Sequence, residues 1–496
     1  MIDVLLTHSY HLLYDTKQAR KMQPYMPLGT LYAATALRTV GMSVALADTM
    51  LSSPEETFTA ALIRFQPRIV AIYEDDFNFL SKMCLTRMRE VAWTIAAAAK
   101  AAGARVVMHG SDATDSPELF LQHGADYVLR GECEHTLVEL CSYLLRGEQP
   151  REMDGLVSRE KPNSVTGKRL ARNAHWPEIP APAIDLIDFS EYRSAWTKAH
   201  GYFSANMVSS RGCPYQCNWC AKPISGDKFQ LRPPAVVAEE MRRMKYEVKA
   251  DHIWFGDDVF ALNARWMSEF AAEVMRRKAS LPFKIQSRAD LMSETTVAAL
   301  QAAGCAEVWM GVESGSQRIL NAMDKSLKLP AVLTARHRLR DAGIRACFFL
   351  QLGYPGETWD DLQQTIRLVR ETRPDDIGIS FSYPLPGTVF YERVKADLGE
   401  KRNWVDSDDL CIMFHGAYTT EFYRAVREAL HAEVNSWHKG TGERPSDSEV
   451  ECLWDNVMAL EPVCRNAEPT RTAFNGRSTH SSVVPVTQLV ASGGLS

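Results

Sequence analysis

The first 148 residues alternate short apolar, β-branched runs with stretches whose apolar residues recur at helical spacing. Residues 2–6 predict a strand. Leu28, Leu31, Tyr32, Leu37 and Val40 then fall on one helical stripe, closed by Gly41. The alternation continues with strands at 44–48, 69–73, 106–109 and 125–129 and helices over 54–65, 85–102 and 136–145. Strands separated by crossover helices require a parallel sheet, so residues 1–148 predict a doubly wound α/β domain. Ligands of such sheets sit beyond the carboxyl ends of the strands, here residues 7–10, 48–49, 73–76, 110–112 and 130–132.

Residues 149–195 carry Pro150, Pro162, Pro177, Pro180 and Pro182 with little periodicity, as a linker would. A second alternation follows, with strands expected at 205–209, 252–255, 283–287, 307–311, 346–351 and 376–380. These βα units predict a partial or full barrel over 196–395, with its chemistry at the strand C-termini. Residues 396–445 form a helical C-terminal region, helical over 418–440, and 446–496 is expected to be a mostly disordered tail, Ser/Thr/Gly/Val-rich with few charges from about 466.

Composition narrows the function classes. The chain has 496 residues, 46% hydrophobic and 24% charged, which fits two or three globular domains. A net charge of −5 argues against nucleic acid as the main partner. The longest apolar run, 93–99, is far short of a membrane span and ends at Lys100. Eleven cysteines without an export signal imply reduced thiols or metal ligands, so a cytoplasmic location is expected.

The sharpest chemical signal is Ser209-Ser210-Arg211-Gly212-Cys213-Pro214-Tyr215-Gln216-Cys217-Asn218-Trp219-Cys220, directly after the first barrel strand. Soft thiolates at C-x3-C-x2-C suit an iron–sulfur cluster or zinc, and three ligands leave one metal position open for a substrate. The alternative is a structural zinc knuckle completed by a distant His or Cys.

This loop, with Trp219 before its last cysteine, resembles that of the radical S-adenosylmethionine (SAM) enzymes over roughly residues 200–395. The resemblance implies that Cys213, Cys217 and Cys220 hold a [4Fe–4S] cluster whose open iron chelates SAM, and that Trp219 lies against the adenine. It further implies SAM contacts from Asp257 and Asp258 after the second strand, from Glu313 and Ser314 after the fourth, and from Lys325, with Arg288 as its rival for the carboxylate. Helix N-capping is the plainer role for Asp257, Asp258 and Glu313, and the two are compatible. Gly353-Tyr354-Pro355-Gly356-Glu357-Thr358 is similar to the turn after the fifth strand, and Tyr383-Pro384-Leu385-Pro386-Gly387-Thr388 to one lining the substrate space.

The doubly wound domain in front of the barrel resembles the cobalamin-binding module of the same superfamily, carried by Met26-Pro27-Leu28-Gly29 and by the small residues after the fourth strand. The resemblance assigns Gly110 and Ser111 to the nucleotide tail of cobalamin, with Gly131 and Glu132 nearby, and the loop Tyr73, Glu74 and Asp75 to the lower face of the corrin. The Asp-x-His-x-x-Gly string that ligates cobalt through histidine does not occur; His8 and His11 lack the rest of it. A dinucleotide would need G-x-G-x-x-G after the first strand, and residues 5–10 contain no glycine.

The fold expected is therefore α/β: a doubly wound (Rossmann-like) cobalamin-binding domain, then a partial (β/α)6 radical SAM barrel and a small helical extension. The resemblance implies a cobalamin-dependent radical SAM enzyme using a [4Fe–4S] cluster, SAM and cobalamin, with an electron donor such as flavodoxin or ferredoxin. Its expected reaction is methylation of an unactivated carbon on a small-molecule, lipid or natural-product substrate. No side chain is nominated as a general acid or base. The alternatives are a radical cyclase or oxidative rearrangement enzyme of the same layout, or a cobalamin-sensing regulator with a structural metal site. Cys84, Cys133 and Cys141 lack the spacing of the second cluster that a methylthiotransferase needs.

Overall fold

A computed structural model of the protein describes residues 1–77, 82–158, 170–173, 176–220, 228–437 and 444–466. The first sheet comprises β1 (Val4–Thr7), β2 (Val44–Ala47), β3 (Ile69–Tyr73), β4 (Arg105–His109), β5 (Tyr127–Leu129) and β6 (Leu156–Ser158), in the order β2-β1-β3-β4-β5-β6. All pairs are parallel except β5–β6. The chain leaves β1 toward β2 on one side and returns to β3 on the other, so a crevice opens past the ends of β1 and β3.

Strands β1, β3 and β5 are buried on both faces, as helices covering a parallel sheet require, while the edge strand β2 is half-buried at Val44 and Leu46. Ile69, Ala71 and Tyr73 face helix Leu28–Thr39 with Val4, Leu6, Ala33 and Leu37. Val70 and Ile72 face helix Thr86–Ala101 with Ala92, Ile95 and Met108.

Two short antiparallel strands, β8 (Ser210–Arg211) and β9 (Gln230–Leu231), bracket the cysteine loop. The second large sheet holds β7 (Ser204–Met207), β10 (His252–Phe255), β11 (Phe283–Ser287), β12 (Cys305–Glu313), β13 (Arg345–Leu352) and β14 (Asp376–Phe381). Its order, β14-β13-β12-β11-β10-β7, is all parallel and makes a half-barrel open between β14 and β7. Ile253, Phe255, Phe283, Ile285, Val308, Met310, Phe348 and Leu350 face the outer helices. The opposite parity lines the lumen, where Trp309 stacks on Phe349 with centroids 4.8 Å apart. A Cβ at Gly378 would meet both rings at 3.1–3.3 Å, so glycine leaves them their space. Tyr25 lies 4.6 Å from Trp254, and the Met26 carbonyl accepts from Asn206 Nδ2 at 2.9 Å, so the stretch before helix Leu28–Thr39 covers the lumen face of β7 and β10.

Two expectations need correction. The region read as a linker is packed: it supplies β6, the first half of helix Phe189–His200 and the fully buried Trp176. Pro177 lies inside the short helical turn Trp176–Glu178 and so does not mark a loose tether. The chain after 446 is also structured at first: Asp447–Val463 is a helix begun by a capping box between Ser446 and Glu449. It docks on helix Thr420–Trp437 through Trp454 Nε1, which donates to Glu433 at 2.7 Å. Residues 467–496 lie outside the described residues. Among the described residues no helix is long and apolar enough to cross a membrane.

Candidate active site

The cysteine loop leaves β8 at the carboxyl end of the half-barrel. Asp257, just past β10, is fully buried and accepts from Ser209 N at 3.0 Å, Ser209 Oγ at 2.6 Å and Ser210 Oγ at 2.5 Å. Burial pushes its carboxyl up to about 6 despite these bonds. Asp257 therefore fixes the approach to Cys213 and is not free for SAM. Asp258 points elsewhere, to Lys82 at 2.7 Å, and remains one-third exposed.

At the far end, Asn218 N donates to the Met323 carbonyl at 3.1 Å and Asn218 Nδ2 to Asp324 at 2.8 Å, anchoring Trp219 and Cys220. Burial, then Asp258 and the other two cysteines, push the Cys220 thiol up to about 12. Such a thiol ionises readily only against a metal cation. Among the described residues no three His, Cys, Asp or Glu side chains converge on a single ion. A [4Fe–4S] cube, which takes each thiolate on a different iron, does not need such convergence, so the donor set fits the cluster.

Around this loop β11 and β12 place three of the expected SAM contacts together. Glu313 ends β12 in left-handed backbone (φ 65°), after a register shift between Gly311 and Glu313. Its carboxylate takes Lys325 Nζ at 2.8 Å, and both are buried. Burial opposes the Lys325 charge, but Glu313 overrides it and holds the ammonium above its usual range. A Cβ at Gly311 would sit 2.7 Å from both charged groups, so only glycine lets the pair lie over the strand. Lys325 Nζ also stands 5.9 Å from the Trp219 ring. Arg288 lies over the Tyr215 ring at 3.7 Å, donates to the Lys325 carbonyl at 3.0 Å and grips Asp290. Ser314 is buried in its own turn, bonded to Thr365 and to Ser316 N, and does not join the group.

In the first domain a narrow cleft of about 30 Å³ lies past β4, between the sheet and helix Thr86–Ala101. Gly110, Ser111 and Glu74 line it with Ser9, Leu85, Met88, Ala92 and Phe120. Gly110 has φ 145°, and a Cβ there would meet Glu74 at 2.8 Å. Ser111 Oγ is buried without a hydrogen-bond partner among the described residues, an orphan that a polar ligand would satisfy. Burial pushes the Glu74 carboxyl up, although Ser9 N donates to it at 2.9 Å. An apolar cleft with a few such polar groups fits a cobalamin nucleotide tail.

Four first-domain expectations fall outside the cleft. Tyr73 points to the opposite face of β3, stacked 3.8 Å from His109, because side chains alternate along a strand. Asp75 accepts from Gly29 N at 3.1 Å and Phe77 N at 3.0 Å, holding the start of helix Leu28–Thr39. Gly131 and Glu132 lie under residues 170–173: Gly131 bridges Ala171, and Glu132 accepts from Asn173 N at 3.0 Å. Sequence alone assigns no role to Arg211, Lys82, Tyr215 or the helix side of the cleft; of these, Arg211 and Tyr215 carry a local signal, each two residues from Cys213.

A doubly wound sheet feeds a parallel half-barrel that carries a three-cysteine loop. Residues 207–369 match the radical SAM superfamily and residues 22–141 the B12 binding domain. The chain belongs to the radical SAM enzymes that carry a cobalamin-binding domain, which use a [4Fe–4S] cluster, SAM and cobalamin. It is 28% identical over 374 residues to an uncharacterized methyltransferase of Pyrococcus horikoshii, covering 74% of this chain and 78% of that one. It is 25% identical over 394 residues to the hopanoid C-3 methylase of Methylococcus capsulatus, covering 78% and 71%. The radical SAM methyltransferase TsrM of Kitasatospora setae shares its fold, with a TM-score of 0.63 at 18% identity over 78% of this chain and 74% of that one.

Proposed function

We propose that the protein is a cobalamin-dependent radical SAM methyltransferase acting on an unactivated carbon of a small-molecule, lipid or natural-product substrate. The observation that carries the reading is the short loop after β3. Glu74 lines the first-domain cleft, while Asp76, two residues on, bonds Arg211 beside the cysteine loop, so both cofactor sites meet at one interface. The names of the relatives support methyl transfer. When bound, the cofactors would supply one-electron cleavage of the SAM sulfonium and a transferable methyl group.

The chain's own residues position and enclose. Lys325 and Arg288 present cations toward a SAM carboxylate, and Glu313 an acceptor for ribose hydroxyls. Trp219 would lie against the adenine, and Trp254, Trp309 and Phe349 would give the substrate an apolar bed and exclude water. Flavodoxin or ferredoxin would deliver the electron, in the cytoplasm.

Anaerobic reconstitution with iron, sulfide and hydroxocobalamin, followed by product counting with candidate lipid and tetrapyrrole substrates, tests the reaction. A methyltransferase forms S-adenosylhomocysteine along with 5′-deoxyadenosine. Turnover giving only methionine and 5′-deoxyadenosine would move the assignment to a cyclase or rearrangement.

A further inference from the structure

Two residues before Cys213, Arg211 crosses from the second domain into the first. Its side chain is 2% exposed, and Nη2 donates to Glu134 at 2.6 Å, just past β5, and to Asp76 at 3.3 Å, just past β3. The guanidinium lies 4.7 Å from the Phe77 ring and 5.0 Å from that of Trp176. Nε and Nη1 have no hydrogen-bond partner among the described residues, and neither has Asp76 Oδ1. A buried, incompletely bonded ion group of this kind adds little stability over apolar packing; what it supplies is a fixed geometry.

That geometry connects the two sites. Glu74 lines the cleft, Asp75 is pinned by Gly29 N and Phe77 N, and Asp76 grips Arg211, so the three successive acids form a stiff path. On the other side Asp257 clamps Ser209 and Ser210, which fixes the chain entering Arg211, and Gly212 alone separates Arg211 from Cys213. We propose that Arg211 is a positioning residue that couples cobalamin binding in the first domain to the placement of the cluster loop in the second. The inference rests on reading the cleft as the cobalamin site.

Coupling between sites is reciprocal, so it is measurable from the cobalamin side. Hydroxocobalamin affinity, read by visible absorbance under argon, is compared between cluster-free and cluster-reconstituted full-length protein. The wild type should bind at least about 5-fold more tightly when the cluster is present. Arg211→Lys keeps the charge but neither spans both carboxylates nor lies flat on the rings, and should bring the ratio to about 1. Glu134→Gln breaks one arm with little change of volume and should give an intermediate ratio even where the lysine variant folds poorly. In the wild type hydroxocobalamin should also shift the cluster's midpoint potential, and Arg211→Lys should lose that shift at unchanged iron content. A wild-type ratio of 1, or a wild-type ratio retained in both variants, overturns the coupling. No hydroxocobalamin binding to the wild type at all overturns the cobalamin reading beneath it.

Discussion

At the scale of single residues, opposite charges are buried together beside the cysteine loop. Lys325 is held charged by Glu313, and its removal leaves that carboxylate buried and unpaired. Lys325→Met should raise the KM for SAM about 10-fold while iron content stays at three-cysteine levels, measured by SAM titration of 5′-deoxyadenosine formation. Glu357 shows the opposite case. It is fully buried, takes one bond from Gly353 N at 2.7 Å, and burial pushes its carboxyl up to about 8. The unfolded chain ionises this group near pH 4.5, so the folded state holds the extra proton between about 4.5 and 8, and stability falls as pH rises through that window. Glu357→Gln should flatten the fall, its advantage in urea unfolding growing by about 3.5 kcal/mol from pH 5 to pH 8. Equal midpoint differences at both pH values would exclude this titration. The three-cysteine loop was legible at this scale because its spacing needs only local sequence. Asp257 and Ser314 were not, since the serines and threonine that occupy them come from other turns.

Elements were legible where their period is long enough to repeat. The alternation located the parallel strands to within a few residues, but β12 runs on to Glu313 because a bulge absorbs what reads as a glycine turn. Strand β6 has three residues and no alternation to detect. Tyr73 was misplaced by one step of the pleat, and Gly131 and Glu132 by ignorance of the segment that returns over them. The cleft past β4 makes an element-level prediction. Ser111→Leu should fill it and abolish hydroxocobalamin retention on gel filtration, with the cluster's visible absorption preserved. Loss of both chromophores would mean that the substitution disrupts more than the cleft. Trp176, fully buried between Tyr32, Phe77 and the Arg211 guanidinium, makes the supposed linker a wedge. Trp176→Ala should cost about 3–5 kcal/mol in urea unfolding and open the region to limited proteolysis.

For the whole molecule, two domains share one wall. Besides Arg211, Arg232 is buried between Glu240 of its own domain, at 2.7 Å, and the Tyr32 hydroxyl of the other, at 2.9 Å. Such contacts are invisible in sequence because their partners lie far apart along the chain and only folding sets the angle between the sheets. The architecture itself was readable, since each domain declares its sheet through its own alternation.

The stretch containing Tyr25 and Met26 belongs to the first domain yet lines the half-barrel from its open side. Under the proposed function, the size of the reaction chamber is thereby decided outside the catalytic fold. Exchanging a few side chains in that borrowed panel would retune which molecules are admitted, with the sulfur loop and its nucleoside contacts left untouched. Enzymes built on this plan can diversify by altering the neighbour, not the furnace.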